Sequence, residues 1–340
     1  MKVKIKYRVS DNREKLQDVI PLNTPFLINI EPNDKCNFKC KFCPTSDLKL
    51  MQATNGRNYG SMNFDLYKKV IDDITEFDNN IKMLYLYNQG EPLLNPYLPD
   101  MIKYAKDSKH IDKISITTNA SLLNEELSLK IIESGLDKIE ISIEGINAKQ
   151  YFDIANVKIN FDKFVNNIKF LYMNKKQLYI YIKIIGNNLL ESEKAEFYNI
   201  FGGMSDAVFI ERANSVWNNF EIKGINFLNQ KTHYGEEVKY KNVCPQIFYS
   251  MVVNSNGMVS PCCVDWERKL IIGDANYEKI KDIWNGEKLR KLQKLHLSGG
   301  RKNHTVCSSC GMPEYGSQDD IDDYAKEILY KINKMELENR

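Results

Sequence analysis

From about Pro25 to Gly235, short β-rich apolar runs alternate with amphipathic helical stretches, and this rhythm constrains the fold of the 340-residue chain most. The strand candidates are FLINIE (Phe26–Glu31), KMLYLYN (Lys82–Asn88), KISITTN (Lys113–Asn119), KIEISIE (Lys138–Glu144), LYIYIKII (Leu178–Ile185) and AVFIER (Ala207–Arg212). Between them the apolar residues recur at helical spacing, as with Leu66, Val70 and Ile71, or Leu127, Ile131 and Ile132. Strands alternating with helices imply a parallel sheet with right-handed crossovers. Six such units, fewer than the eight of a closed barrel, suggest an open or partial barrel with function on the loops beyond the strand C-termini.

After about Glu236 the rhythm changes. YSMVVNSNGMVSPCC reads as a β-hairpin, and helical patterns follow over Tyr277–Asn285 and Glu287–Leu297. The tail from Gln318 to Arg340 reads as an amphipathic helix with Ile321, Tyr324, Ile328 and Ile332 along one side. The divisions expected are an N-terminal extension (1–24), a barrel (25–235), a small module (236–317) and a C-terminal helix (318–340). With 47 Lys+Arg against 45 Asp+Glu, the net charge of +2 gives no reason to expect nucleic acid or an anionic membrane as partner. The N-terminal MKVKIKYRVSDNREK lacks the apolar region of a signal peptide, so a cytoplasmic protein is expected. Eight cysteines in such a chain suggest a metal or redox site rather than disulfides.

Three of them, Cys36, Cys40 and Cys43, form a C-x3-C-x2-C run just after the first strand. Three thiolates are one short of a closed zinc or iron–sulfur site, which leaves the open position a catalytic centre needs. Further polar motifs end the next strands: Gly90-Glu91-Pro92, Thr117-Thr118-Asn119-Ala120 and Ser142-Ile143-Glu144-Gly145. On these residues the sequence resembles the radical S-adenosylmethionine (radical SAM) family. The resemblance implies a partial (β/α)6 TIM-like barrel in which Cys36, Cys40 and Cys43 hold a [4Fe–4S] cluster. S-adenosylmethionine would chelate the fourth iron and yield a 5′-deoxyadenosyl radical. It further implies cofactor contacts from Phe42, Gly90, Glu91, Pro92, Thr118, Asn119, Ser142 and Glu144. Ala120 stands where the family usually has Gly.

The remaining cysteines cluster late, with Cys244, Cys262, Cys307 and Cys310 spaced C-x17-C-x44-C-x2-C and Cys263 left over. Four thiolates suit either a structural zinc or an iron–sulfur cluster. The spacing resembles the opening of a SPASM module in its shorter twitch form, a β-hairpin plus helices, which implies one auxiliary [4Fe–4S] cluster. Cys263 reads as a buried free thiol, or as a ligand in place of Cys262, since adjacent hairpin residues point to opposite faces.

An auxiliary cluster closed by four thiolates suits an electron acceptor, hence a net two-electron oxidation. The expected function is dehydrogenation of a small polar molecule such as a sugar, cyclitol or amino-sugar, with an external electron donor such as flavodoxin or ferredoxin. Peptide maturation is the alternative within the enzyme class, and a non-catalytic iron–sulfur or zinc protein the alternative outside it. Arg212, ending the sixth strand, is a candidate grip for a carboxylate or phosphate. Asp265 and Glu267, just after Cys262-Cys263, are candidate bases for an alcohol proton.

Overall fold

The computed structural model describes residues 3–6, 14–54, 57, 60–222, 224–227 and 231–338. Its spine is a nine-stranded sheet in the order β6-β5-β4-β3-β2-β1-β7-β8-β9. The first six strands are β1 (Leu27–Ile30), β2 (Met83–Tyr85), β3 (Ile114–Thr118), β4 (Lys138–Ile143), β5 (Tyr179–Ile185) and β6 (Ala207–Glu211). Each falls inside its expected run, and sequential strands pair in parallel to form the open partial barrel.

Helices carry the chain back between strands. After α1 (Leu16–Val19), which precedes β1, they are α2 (Leu48–Gln52), α3 (Phe64–Ile74), α4 (Leu98–Asp107), α5 (Glu125–Glu133), α6 (Ala148–Ala155), α7 (Phe161–Asn174) and α8 (Glu191–Phe201). Four begin at an asparagine whose side chain accepts from the first-turn backbone: Asn63, Asn124, Asn147 and Asn160. That satisfies N–H groups the helix itself leaves open, and an N-cap of this kind is worth about 1 kcal/mol.

Buried parallel strands ordinarily read as continuous apolar runs. These alternate instead. Ile139, Ile141 and Ile143 of β4 and Ile180, Ile182 and Ile184 of β5 join the helix-covered core. The opposite phase is polar: Lys138, Glu140 and Ser142 stand in register with Tyr179, Tyr181 and Lys183. Ser115 and Thr117 of β3 continue the same rows. Over β3–β5 the sheet therefore has one apolar face under the helices and one polar face, and the flanking strands continue the polar rows with Asn29 and Tyr85 but also with Leu27, Met83, Phe209 and Val252.

The late hairpin does not form a sheet of its own. β7 (Ser250–Val253) pairs in parallel with β1, from Leu27↔Ser250 to Ile30↔Val253. It then turns through Gly257, whose φ of 89° favours glycine, into β8 (Met258–Ser260), with β9 (Gly273–Asp274) outermost. α9 (Ile280–Trp284), α10 (Glu287–Leu297), α11 (Met312–Tyr315) and α12 (Ala325–Glu338) complete the chain. Two expectations need correction. The helix read over Tyr277–Asn285 starts only at Ile280, leaving Tyr277 87% exposed. On the tail, Ile321, Ile328 and Ile332 are buried, but Tyr324 is 41% exposed because a tighter turn (Asp322–Tyr324) precedes α12. No helix among the described residues is long and apolar enough to cross a membrane.

Candidate active site

The loop after β1 carries Cys36, Cys40 and Cys43. Phe38 plugs into the core edge-on to Tyr151 at 6.0 Å, and the N–H groups of Lys39 and Lys41 donate to Ala155 O and Ile154 O at the end of α6. The thiols between these anchors are held near one another and near Glu91 and Glu144. Burial pushes Cys36 up to about 12, and burial also raises Cys40 and Cys43. A buried thiolate with two carboxyl neighbours is stable only beside a cationic centre, so the donor set fits a thiolate-bound cluster. No three His, Cys, Asp or Glu among the described residues converge on one metal ion. A four-iron cluster instead takes its thiolates on separate irons.

Gly90 docks the second loop onto the first. A Cβ there would lie 1.9 Å from Asn33 O and 2.8 Å from Lys35 O, and Glu91 N donates to Lys35 O at 2.8 Å. Pro92 opens a short 3-10 turn for which Glu91 is the cap. The fully buried Glu91 carboxyl faces inward: Oε1 accepts from Thr118 Oγ1 (2.6 Å) and Leu93 N (3.0 Å), and Oε2 from Asn119 N (2.8 Å). Burial raises it to about 7 against those hydrogen bonds. Asn119 reaches back, donating to Asn37 Oδ1 at 2.9 Å beside Cys36. Ala120 holds φ 58°, the conformation that glycine would adopt freely.

Ser142 lies half-buried on the polar face of β4, opposite Lys183. Glu144 is buried against the Cys40 thiol, with its carboxyl raised to about 7 by burial and opposed by Lys183. Glu144 and Phe42 together line a pocket of about 240 Å³ with Ile185, Gln150, Asn187 and Asn188. The last three were not anticipated. Asn187 and Asn188 follow the fifth strand directly and clamp Ala213, Gly224 and Asn226; two amides just past a strand end were the signal.

The second cysteine set also assembles. Cys262 is raised by a hydrogen bond with the Cys263 thiol and by burial, beside Cys310 and Cys244. Burial raises Cys244, and it pushes Cys307 to about 12 and Cys310 to about 11. Arg301, missed in the sequence, ties the set together. It donates to Lys241 O, to Cys310 O (2.7 Å) and twice to Glu314 (2.7 and 3.1 Å). His296 Nδ1 accepts from Cys244 N at 3.3 Å, and burial lowers the imidazole to about 3, so it is neutral there.

A larger cavity of about 600 Å³ opens on the polar face of the sheet, lined by Asn29, Tyr85, Tyr87, Lys138, Gln246 and Tyr249. Trp217 and Cys263 also line it, and Trp217 Nε1 donates to Phe42 O at 3.2 Å, beside Cys43. The cavity thus meets the second cysteine loop directly, at Cys263, and the first only through Trp217.

The three residues expected to be catalytic stand elsewhere. Asp265 spends both oxygens on Lys269 N (3.1 Å) and Leu270 N (2.8 Å), turning the loop after Cys263. Glu267 is held by Asn218, Asn219 and Lys269. Arg212 is half-buried and pairs with no carboxylate among the described residues; its carbonyl accepts from His233 Nδ1. None of the three lines either cavity.

Comparison with known proteins agrees with this arrangement. The family model of the radical SAM superfamily matches residues 30–194, and that of the SPASM iron–sulfur cluster-binding domain matches residues 244–311. A probable GTP 3′,8-cyclase of Methanococcus maripaludis is 35% identical over 131 residues, covering 38% of this chain and 39% of that protein. The chain thus aligns with only about two-fifths of that relative's length. The S-adenosyl-L-methionine-dependent 2-deoxy-scyllo-inosamine dehydrogenase of Niallia circulans is 21% identical, covering 87% of this chain and 96% of the relative. Among solved structures, Streptococcus suis SuiB bound to precursor peptide SuiA superposes with a TM-score of 0.64 at 17% identity, covering 92% of this chain and 75% of SuiB. The chain belongs to the radical SAM superfamily and carries a C-terminal SPASM iron–sulfur domain.

Proposed function

We propose that this radical SAM enzyme dehydrogenates a small polar molecule such as a sugar, cyclitol or amino-sugar, bound in the cavity on the polar face of the sheet. The observation that carries the reading is that cavity itself. Its volume is in the range of small-ligand sites, its walls mix amides, tyrosines, two lysines and two carboxylates with apolar side chains, and it meets the second cysteine loop at Cys263 and the first through Trp217. S-adenosylmethionine on a [4Fe–4S] cluster would supply a hydrogen-abstracting radical, and an auxiliary cluster would supply an electron sink.

The chain's own residues have distinct tasks in this scheme. Cys36, Cys40 and Cys43 hold the first cluster; Cys244, Cys262, Cys307 and Cys310 hold the second. Phe42 and Glu144 shape the pocket beside the first set, where adenosine would lie, while Glu91 fixes Thr118 and Asn119. Trp217 closes the wall between that set and the cavity. Asp265 and Glu267 are engaged by the loop, and the carboxylates that line the cavity are Glu14, itself paired with Lys82, and Asp319. The reading uses a barrel at 25–235 and a cluster module at 236–317, flanked by 1–24 and 318–340, and an external donor such as flavodoxin or ferredoxin.

The test is to incubate the reconstituted, reduced enzyme with S-adenosylmethionine and panels of polyols, amino-cyclitols and short peptides. A polyol or amino-cyclitol losing two hydrogens with equimolar 5′-deoxyadenosine supports the proposal. Turnover of peptides alone replaces it with peptide maturation.

A further inference from the structure

The two cysteine sets lie on different parts of the chain, so something must fix one against the other. Glu31, immediately after β1, is fully buried, and its carboxylate is shared among three segments. Oε1 accepts from Gln89 N at 3.2 Å, on the loop that carries Gly90. Oε2 accepts from Ser255 N at 3.3 Å, in the hairpin turn of the module, and from Arg268 Nη2 at 2.6 Å. Both side chains of this ion pair are 0% exposed. Arg268 itself sits at φ 57°, five residues after Cys263, with Nε and Nη1 buried and without a partner among the described residues.

A second contact runs parallel to the first. Gln89 Nε2 donates to Cys263 O at 3.3 Å, and Gln89 Oε1 accepts from Arg57. Arg57 in turn donates to Trp266 O (3.1 Å) and to Asp34 O (3.2 Å), two residues before Cys36. The segment 263–268 is therefore fastened to Glu31, Asp34 and Gln89 of the barrel by two guanidinium groups and an amide.

A buried ion pair is weak as a source of stability, because desolvating two charges offsets most of their attraction. Its strength is geometric: a short charge-assisted bond tolerates little displacement. We propose that Glu31, Arg268 and Gln89 are positioning residues that set the distance between the two clusters, acting through the loops of Cys36 and Cys262. This rests on the reading that both cysteine sets hold clusters, and it concerns how the electron sink is placed rather than which substrate is oxidised. From Cys262 the route back to Cys36 passes through the Cys263 carbonyl, Gln89, Gly90 and the Glu91–Lys35 hydrogen bond.

Pulsed dipolar electron paramagnetic resonance on the doubly reduced enzyme reads the inter-cluster distance directly, and iron analysis reads occupancy. The variants are Arg268→Met, Gln89→Leu and the apolar double Glu31→Met/Arg268→Met. The double variant leaves no unpaired buried charge, so it keeps the fold where a single replacement weakens it. The expected result is one narrow distance in the parent, and a shifted or broadened one in Gln89→Leu and the double variant, with iron unchanged. Were the pair only structural, the double variant would keep the parent's distance, and that result overturns the proposal. Iron short of two clusters in the parent defeats the underlying cluster reading instead, and with it this inference.

Discussion

Replacing Gly90 by Ala adds one methyl group at the seam between the two loops that build the first cysteine site. The new Cβ would stand 1.9 Å from Asn33 O, 2.7 Å from Asn33 C and 2.8 Å from Lys35 O, all backbone atoms that cannot swing aside. Reaching even a close C···O contact of about 3.3 Å requires the loops to part by about 1.4 Å. That separation falls on the Glu91–Lys35 hydrogen bond, the residue next to Cys36. Overpacking of this kind costs about 1–3 kcal/mol, a loss of a few degrees in Tm. The larger effect is local, since misplacing a reacting group by about 1 Å can cost about 100-fold in rate. Gly90→Ala is therefore expected to fold and to keep the auxiliary cluster, while its S-adenosylmethionine cleavage falls about 100-fold. Differential scanning fluorimetry, iron analysis and chromatography of 5′-deoxyadenosine measure the three quantities. Cleavage within a few-fold of the parent would refute the argument that this glycine seats the cysteine loop.

Three other outcomes follow from the same geometry. Cys263→Ala should keep about eight irons per chain, whereas Cys262→Ala should fall to about four, as iron analysis after reconstitution would show; equal losses would reverse the assignment of the adjacent pair. Arg301→Met leaves the partly buried Glu314 and two carbonyls without their donor, at a cost of about 3 kcal/mol, and Arg301→Met/Glu314→Met should recover much of it in denaturant titrations. Burial holds the Glu91 carboxyl at about 7 against an ordinary 4.5, so the folded metal-free chain keeps a proton that the unfolded chain releases. Its contribution to stability is then present below about pH 4.5 and is lost as pH rises to about 7. Thermal melts of metal-free parent and Glu91→Gln across this window should show the parent falling more steeply, and parallel curves would contradict the shift.

Much of this was readable from local pattern. Strand and helix periodicity located all six barrel strands to within a residue or two at most ends, because each signal lies within a short window. Cys36, Cys40, Cys43 and Gly90-Glu91-Pro92 stood out because their spacing and their place after strands are local as well. What escaped was long-range. The parallel pairing of β7 with β1 joins Leu27 to Ser250, and the Glu31–Arg268 pair spans a similar stretch of chain; neither partner marks the other in sequence. Asp265 shows a role that its place in the sequence does not reveal. Its place beside two cysteines suggested a base, but a short acidic side chain in a tight loop can accept from the backbone amides that follow it, and here it does. Arg301 and Glu314 carry no motif of their own, and only folding places them beside Cys310.

The account's central claim is that the open three-cysteine site generates a radical from S-adenosylmethionine. The most direct measurement is anaerobic reconstitution with iron and sulfide, followed by dithionite and S-adenosylmethionine, with 5′-deoxyadenosine quantified by chromatography. The parent should carry about eight irons and release 5′-deoxyadenosine, and the Cys36→Ala/Cys40→Ala/Cys43→Ala variant should retain about four irons and release none. Zinc in place of iron, or a reduced and fully loaded parent that releases no 5′-deoxyadenosine, would contradict it.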